Sequence, residues 1–169
     1  PGGDVWVGTS ASGLARLREG ALLQITTDDG LGANCVGDLC LDREGVLWVG
    51  TIGGGLSCLR PRRIEAVTTR DGLSHNGVMA MAEDAAGTLW IGTNGGGLNR
   101  LAAGSRQPGP HSPSYVLENR VISSLAAMRD GSLWLGTSTE GVFRIKEGAV
   151  QSIGLEEGLP GRIVTSLAE

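Results

Sequence analysis

Leu47-Trp48-Val49-Gly50-Thr51 is one of four copies of a single short pattern. The others are Val5-Trp6-Val7-Gly8-Thr9, Leu89-Trp90-Ile91-Gly92-Thr93 and Leu133-Trp134-Leu135-Gly136-Thr137. Together they use all four tryptophans of the protein, at separations of 42, 42 and 44 residues. A period of roughly 40 to 45 residues, made of short strand-like runs and glycine-rich turns, is the signature of a four-stranded propeller blade. The pattern predicts an all-β fold, a β-propeller of four four-stranded antiparallel blades forming one array over residues 1–169. The repeats fall near 1–42, 43–84, 85–128 and 129–169.

Around Trp48 the second repeat reads as a turn at Arg43-Glu44-Gly45, a strand Val46 to Thr51, a turn Ile52-Gly53-Gly54 and a strand Gly55 to Arg60. A third strand over about Ile64 to Thr69 leads into the turn Asp71 to Asn76, and a fourth runs from Val78 to Ala82. Read this way, the four strands make one meander and one blade. The third repeat departs from the pattern: it inserts Ala102 to Ser114, with Pro108, Pro110 and Pro113, and lacks the Asp-Gly-Leu turn before Asn119. Prolines cannot donate to a sheet ladder, so this insertion is expected to be the most mobile segment. In the fourth repeat Arg162 stands where the Asn would be.

Apolar residues occupy both alternating faces of the Trp strands, so each sheet must be covered on both sides. Neighbouring blades supply that cover, and the Gly after Trp-x lets the next sheet approach closely. Glycine makes up 29 of 169 residues, well above the usual share of about 7%, which argues for many tight turns and against long helices.

The net charge of −4 is spread along the chain, and the basic cluster Arg60-Pro61-Arg62-Arg63 has no interleaved aromatics. No nucleic-acid partner is expected. No run is long and apolar enough to span a bilayer, so no direct membrane contact by this chain is expected. Cys35, Cys40 and Cys58 form no metal-type spacing. Cys58 stands where the other repeats carry Arg16, Arg100 and Arg144. The chain opens at Pro1 in the middle of a repeat, which reads as an excised piece of a larger protein.

Gly-x-Leu-Trp-x-Gly-Thr, then Gly-Gly-Leu-x-Arg, then Asp-Gly-Leu-x-x-Asn-x-Val resembles the two-component regulator propeller repeat, most closely over Gly45 to Val78. That resemblance implies a sensor propeller of bacterial two-component systems, periplasmic or extracellular. It also implies a small-molecule ligand, with carbohydrates among the candidates. No catalytic residues, cofactor or metal are expected, because the two histidines are unpaired and no nucleophile–base pair or repeated Cys or His is present. The alternatives are a lyase-type propeller enzyme, since streptogramin lyases use similar blades, and a protein–protein interaction scaffold.

The candidate ligand-binding residues are Arg16, Arg100 and Arg144, whose recurrence would make a ring of charge on a closed propeller, and Asp71, His75 and Asn76 in a blade-connecting turn. His75 and His111 have no second metal-type ligand near them in sequence, and Asp42, Asp84 and Asp130 are expected to bond the backbone of the turns they start. The strand-like Ile163 to Leu167 would normally precede a Trp strand, and Asp4 to Thr9 is such a strand. Pairing of these terminal strands in one blade is expected, within one chain or between two as a homodimer. Further propeller blades are the other possibility.

Overall fold

Along Leu47–Thr51, Leu47, Val49 and Thr51 point to one face and Trp48 and Gly50 to the other, and all five residues are buried. The reason lies in the stacking of four antiparallel sheets. The structure, a computed structural model, describes residues 3–60, 63–105 and 117–169.

The first sheet comprises β1 (Val5–Gly8), β2 (Leu14–Arg18) and β3 (Ala21–Ile25), in that order. The second comprises β4 (Val36–Leu41), β5 (Leu47–Thr51), β6 (Gly55–Arg60) and β7 (Arg63–Val67). The third contains β8 (Val78–Glu83), β9 (Leu89–Thr93) and β10 (Leu98–Leu101), and the fourth β11 (Ile122–Ala127), β12 (Leu133–Thr137), β13 (Val142–Lys146) and β14 (Ala149–Ile153). Two three-residue 3-10 turns, Thr27–Asp29 and Thr69–Asp71, lie in the connections after β3 and β7. The all-β fold expected from the period is what forms.

The sheet and the sequence repeat are out of phase by one strand. Val78–Glu83 does not add to β7; it pairs with β9, Val78 opposite Thr93 and Glu83 opposite Leu89. The meander read as one blade therefore crosses a sheet boundary in the loop after Val67. That loop spends its hydrogen bonds on itself and on the neighbouring turn, where the Asn76 carbonyl accepts from the Gly53 and Gly55 amides, so the chain leaves one sheet and starts the next.

The first strands of successive sheets converge: β4 packs beside β8, and β8 beside β11. Asp38 on β4 accepts from the Met81 amide on β8 at 2.6 Å. These are the inner strands of a radial array.

Each sheet meets the next by one rule. Trp6 packs on Leu47 and Val49 of the second sheet. Trp48 and Cys58 pack on Leu89, Ile91 and Leu101 of the third. Trp90 packs on Leu133, Leu135 and Ile145 of the fourth. Burying one such aliphatic side chain contributes about 1.5–3 kcal/mol, so the stacking faces carry most of the stability.

The glycine of Trp-x-Gly-Thr admits the inner strand of the next sheet. A Cβ on Gly8 would lie 2.5 Å from Val36 Cγ1, on Gly50 2.5 Å from Val78 Cγ1, and on Gly92 2.6 Å from Ile122 Cγ2. The threonine closes the following turn: Thr51 Oγ1 donates to the Gly55 carbonyl, Thr93 to Gly97 and Thr137 to Gly141.

The termini do not pair with each other. Among the described residues β1 pairs only with β2, and residues 163–169 form no strand. The expectation of an intrachain blade shared by both ends is thus not met, because residues 163–169 lie instead against the fourth sheet, with the Val164 amide donating to the Thr137 carbonyl at 3.0 Å. The insertion's residues 106–114, His111 and its prolines included, lie outside the described residues; Ala102 to Ser105 form a turn closed by the Ser105 amide on the Ala102 carbonyl.

Candidate functional site

In a meander, the turn between first and second strands and the turn between third and fourth lie at one end of the sheet. The turn between second and third strands and the connection to the next sheet lie at the other. The sequence-derived candidates divide between these two ends. Arg16, Arg100 and Arg144 belong near the first, and Asp71, His75 and Asn76 to the second.

Each of the three arginines stands directly opposite a tryptophan on the adjacent strand: Arg16 opposite Trp6, Arg100 opposite Trp90 and Arg144 opposite Trp134. Their Cζ atoms lie 5.7, 5.8 and 5.5 Å from the ring centroids. Stacking on an indole face is a cation–π contact. Arg16 Nη2 also pairs with Asp4 at 2.9 Å, and Arg144 Nη2 with Asp130 at 2.9 Å. In the second sheet Cys58 takes this place opposite Trp48 and is buried. The arginine recurrence is therefore tied to the tryptophan recurrence, and two of the three guanidiniums already hold carboxylates.

The aspartates that start the turns at this end complete the arrangement. Asp42 accepts from the Val46 amide and from Trp48 Nε1, each at 2.8 Å. Asp84 does the same for Thr88 at 2.9 Å and Trp90 Nε1 at 2.8 Å. In the fourth sheet Ser132 mediates: Trp134 Nε1 donates to its hydroxyl, which donates to Asp130. The Ser132 hydroxyl, then the Lys146 ammonium, hold the Asp130 carboxyl well below the usual range. A hollow of about 200 Å³ lies here between the third and fourth sheets, bordered by Asp84, Trp90, Met128 and Glu147. That is smaller than the roughly 300–1,000 Å³ of ordinary ligand pockets, and two of its walls are acidic.

At the other end the loop after β7 is built by its own side chains. Thr68 caps the 3-10 turn, and Asp71 Oδ2 accepts from the Thr68 amide at 2.9 Å and the Thr68 hydroxyl at 3.0 Å. Those bonds from Thr68 depress the Asp71 pKa. Gly72 closes the turn at φ 102, a left-handed conformation that only glycine adopts without strain. Asn76 Oδ1 accepts from the Thr69 amide at 2.8 Å. The loop after β3 repeats the design with Thr26, Asp29 and Asn34.

Each loop is also pinned to the sheet that follows. The Gly32 amide donates to Ser57 Oγ at 3.1 Å, and the Ser74 amide to Asn99 Oδ1 at 3.0 Å. His75 is exposed, and its Nδ1 accepts from the Gly77 amide at 2.8 Å. That bond restrains the ring and leaves Nε2 as the nitrogen not engaged by it. Exposed Asn94 belongs to the adjoining turn, its amide bonded to the Gly77 carbonyl at 2.8 Å. Asp71, His75 and Asn76 thus share one rigid corner, with Asp71 and Asn76 largely committed to building it.

In the third connection the carbonyl that accepts from Gly97 belongs to Arg120, not Asn119. Arg120 takes the place of Asn76, and Asn119 sits at φ 62 one residue earlier. Sequence reading passed over Arg120, which lies over Phe143, 5.5 Å to the centroid, and pairs with Glu140 at 2.8 Å. The signal was available in Ile122, the β-branched residue that must nest on Gly92. Among the described residues no three His, Cys, Asp or Glu side chains are gathered as metal ligands.

Four stacked antiparallel sheets with converging first strands define a β-propeller domain. Residues 30–53 and 72–95 match the family model of the two component regulator propeller. Each matched segment runs from a connecting loop through an inner strand to a Trp strand. A comparison with curated proteins gives no match.

Among solved structures the chain is similar to the extracellular domain assigned to a one component system of B. thetaiotaomicron. The TM-score is 0.82 and the identity 23%, over 98% of this chain and 23% of that one. The extracellular domain assigned to a hybrid two component system of the same organism gives 0.78 and 19%, over 98% and 23%. Virginiamycin B lyase from Staphylococcus aureus gives 0.69 and 18%, over 90% and 52%. At these identities what is shared is the propeller fold, and the chain spans less than a quarter of the first two domains. Among the described residues no helix is long and apolar enough to cross a membrane.

Proposed function

We propose that this propeller domain is a non-catalytic ligand-binding module of a two-component signalling protein, acting outside the cytoplasm. It takes a small polar ligand of the carbohydrate or sugar-acid class at the connecting-loop end of the sheets. The observation that carries this reading is the exposed His75, its ring held by the Gly77 amide in a loop pinned at both sides. Recognition groups on a rigid scaffold lose little entropy on binding. His75 and Asn94 offer imidazole and amide groups of the kind that match sugar hydroxyls, while the Ser74 hydroxyl beside them accepts from Asn99 Nδ2 at 2.6 Å and so helps hold the loop.

The test is a thermal-shift screen of neutral sugars and sugar acids, since a ligand that binds only the folded state raises the melting temperature. A hit whose shift is lost in His75→Ala and kept in Arg100→Ala supports the proposal. A hit that is chemically converted, with conversion abolished by a chelator, would replace it with a lyase-type enzyme.

A further inference from the structure

The hollow between the third and fourth sheets falls where the preceding interface carries an ion pair. Between the second and third sheets the Arg43 amide donates to Glu83 at 3.1 Å, Arg43 Nη1 donates to the Ala85 carbonyl at 2.8 Å, and Arg43 Nε lies 3.9 Å from the Glu83 carboxylate. The Arg43 side chain thereby bridges the rim of those two sheets. Arg129 and Glu169 repeat the pair, amide to carboxylate at 3.2 Å and Nε to carboxylate at 3.5 Å.

Between the third and fourth sheets both members are replaced. Ala85 follows Asp84 as Arg43 follows Asp42, each in a turn closed by a glycine amide on the aspartate carbonyl. Ala127 stands opposite Leu133 as Glu83 stands opposite Leu89. Ala85 and Ala127 both border the hollow of about 200 Å³. The hollow is therefore the place of an arginine side chain that the chain does not supply there. Its volume is several times the roughly 30 Å³ share of one water, enough for a group of side-chain size.

The chemistry of the walls is still that of a guanidinium site. Asp84 and Glu147 bring carboxylates, Trp90 an aromatic ring and Met128 an apolar surface, and among the described residues no basic side chain borders the space. Arg100 lies over the Trp90 ring and is not one of the bordering residues. The backbone acceptor used by Arg43, the Ala85 carbonyl, has its counterpart in the Arg129 carbonyl, to which nothing donates among the described residues. Carboxylates accept the planar guanidinium fork through paired bonds, and an indole attracts a cation. Both favour guanidinium over the compact, strongly hydrated ammonium group.

We propose that this hollow is a second binding site, independent of the loop-end reading, for a guanidinium group. The group belongs either to a free alkylguanidinium molecule or to an arginine side chain of a partner.

Titration of the isotope-labelled full chain with n-propylguanidinium, read at the tryptophan indole N–H resonances, tests this, with sodium chloride of equal ionic strength as the blank. A saturable shift of the Trp90 resonance is expected, with those of Trp6 and Trp48 unmoved. n-Butylammonium, which has the charge without the fork, is expected to bind several-fold more weakly. Glu147→Gln, in an exposed turn, should weaken the response several-fold with an unchanged far-UV spectrum. Ala85→Arg fills the hollow from within and should abolish it. His75→Ala should leave it intact, which separates this site from the loop-end site. A terminally blocked arginine tripeptide that binds more tightly than n-propylguanidinium identifies a partner's side chain, and the reverse order a free molecule. The proposal is overturned by the absence of a saturable Trp90 shift, by a shift that persists in Ala85→Arg, or by an equal response to n-butylammonium.

Discussion

In the fourth sheet the Arg144 guanidinium lies over the Trp134 indole, 5.5 Å from the ring centroid, while its Nη2 holds Asp130 at 2.9 Å. A guanidinium engaged on one side by an aromatic face and on another by a carboxylate has little left for a ligand. Arg144→Ala is therefore expected to lower the melting temperature by about 2–4 °C, the scale of roughly 1 kcal/mol in a chain of this size. Ligand binding should be unaffected. A thermal melt with and without ligand checks both parts, and loss of binding at unchanged stability would reverse the assignment.

The glycine nests give a sharper stability prediction. Gly50→Ala puts a methyl into Val78 and should cost about 1–3 kcal/mol, the usual penalty of overpacking. Val78→Ala in the same chain removes the clashing atoms, so the double variant should recover part of the loss. A double-mutant cycle in urea measures this, with a coupling energy of at least about 0.5 kcal/mol expected for residues in contact. Strict additivity would show that Gly50 is kept for another reason.

These two relationships also explain what could be read from the sequence. Trp, Gly and Thr of the repeated pattern each have a packing or turn-closing duty, so recurrence reported fold directly. The arginines recur because they lie over the tryptophans, and Asp71 and Asn76 because the connecting loop is hydrogen-bonded through them, so recurrence there marked architecture where a ligand ring was expected. The phase of the sheets was hidden, because Val78–Glu83 has the same alternating pattern whether it closes one sheet or opens the next. Arg120 was hidden by a neighbouring asparagine. His75 carries no repeated signal, and its restrained ring emerges only from the loop's three-dimensional path.

The thiols should report the same packing. Burial, then the nearby carboxylates of Asp38, Glu83 and Asp42, push the Cys40 thiol up to about 11, and Cys58 is buried between sheets. Cys35 is partly exposed. Since the thiolate is the reactive form, native protein at pH 8 should label quickly at Cys35, and at all three cysteines only after denaturation. Rapid native labelling of Cys58 would contradict the second interface.

Acid stability should depend on Asp130. Its folded pKa is depressed, first by the Ser132 hydroxyl and then by Lys146, below an unfolded value of about 3.9. The contribution is therefore fully present above that value and is lost as pH falls through the folded pKa. Wild type and Asp130→Asn should differ in melting temperature at neutral pH and converge in acid, with salt narrowing the gap because the site is exposed. A gap that widens on acidification would contradict the assigned bonds.

The proposed ligand site is the connecting-loop end, at the His75 corner, and not the Trp–Arg end. Hydrogen exchange with and without a ligand found by the thermal screen tests it most directly, because the two ends lie on different peptides. Binding at the loop end predicts slowed exchange over residues 68–77 and 94–97, with no change over 84–88 and 129–132. Protection confined to 84–88 and 129–132 would contradict it and return the site to the arginine ring.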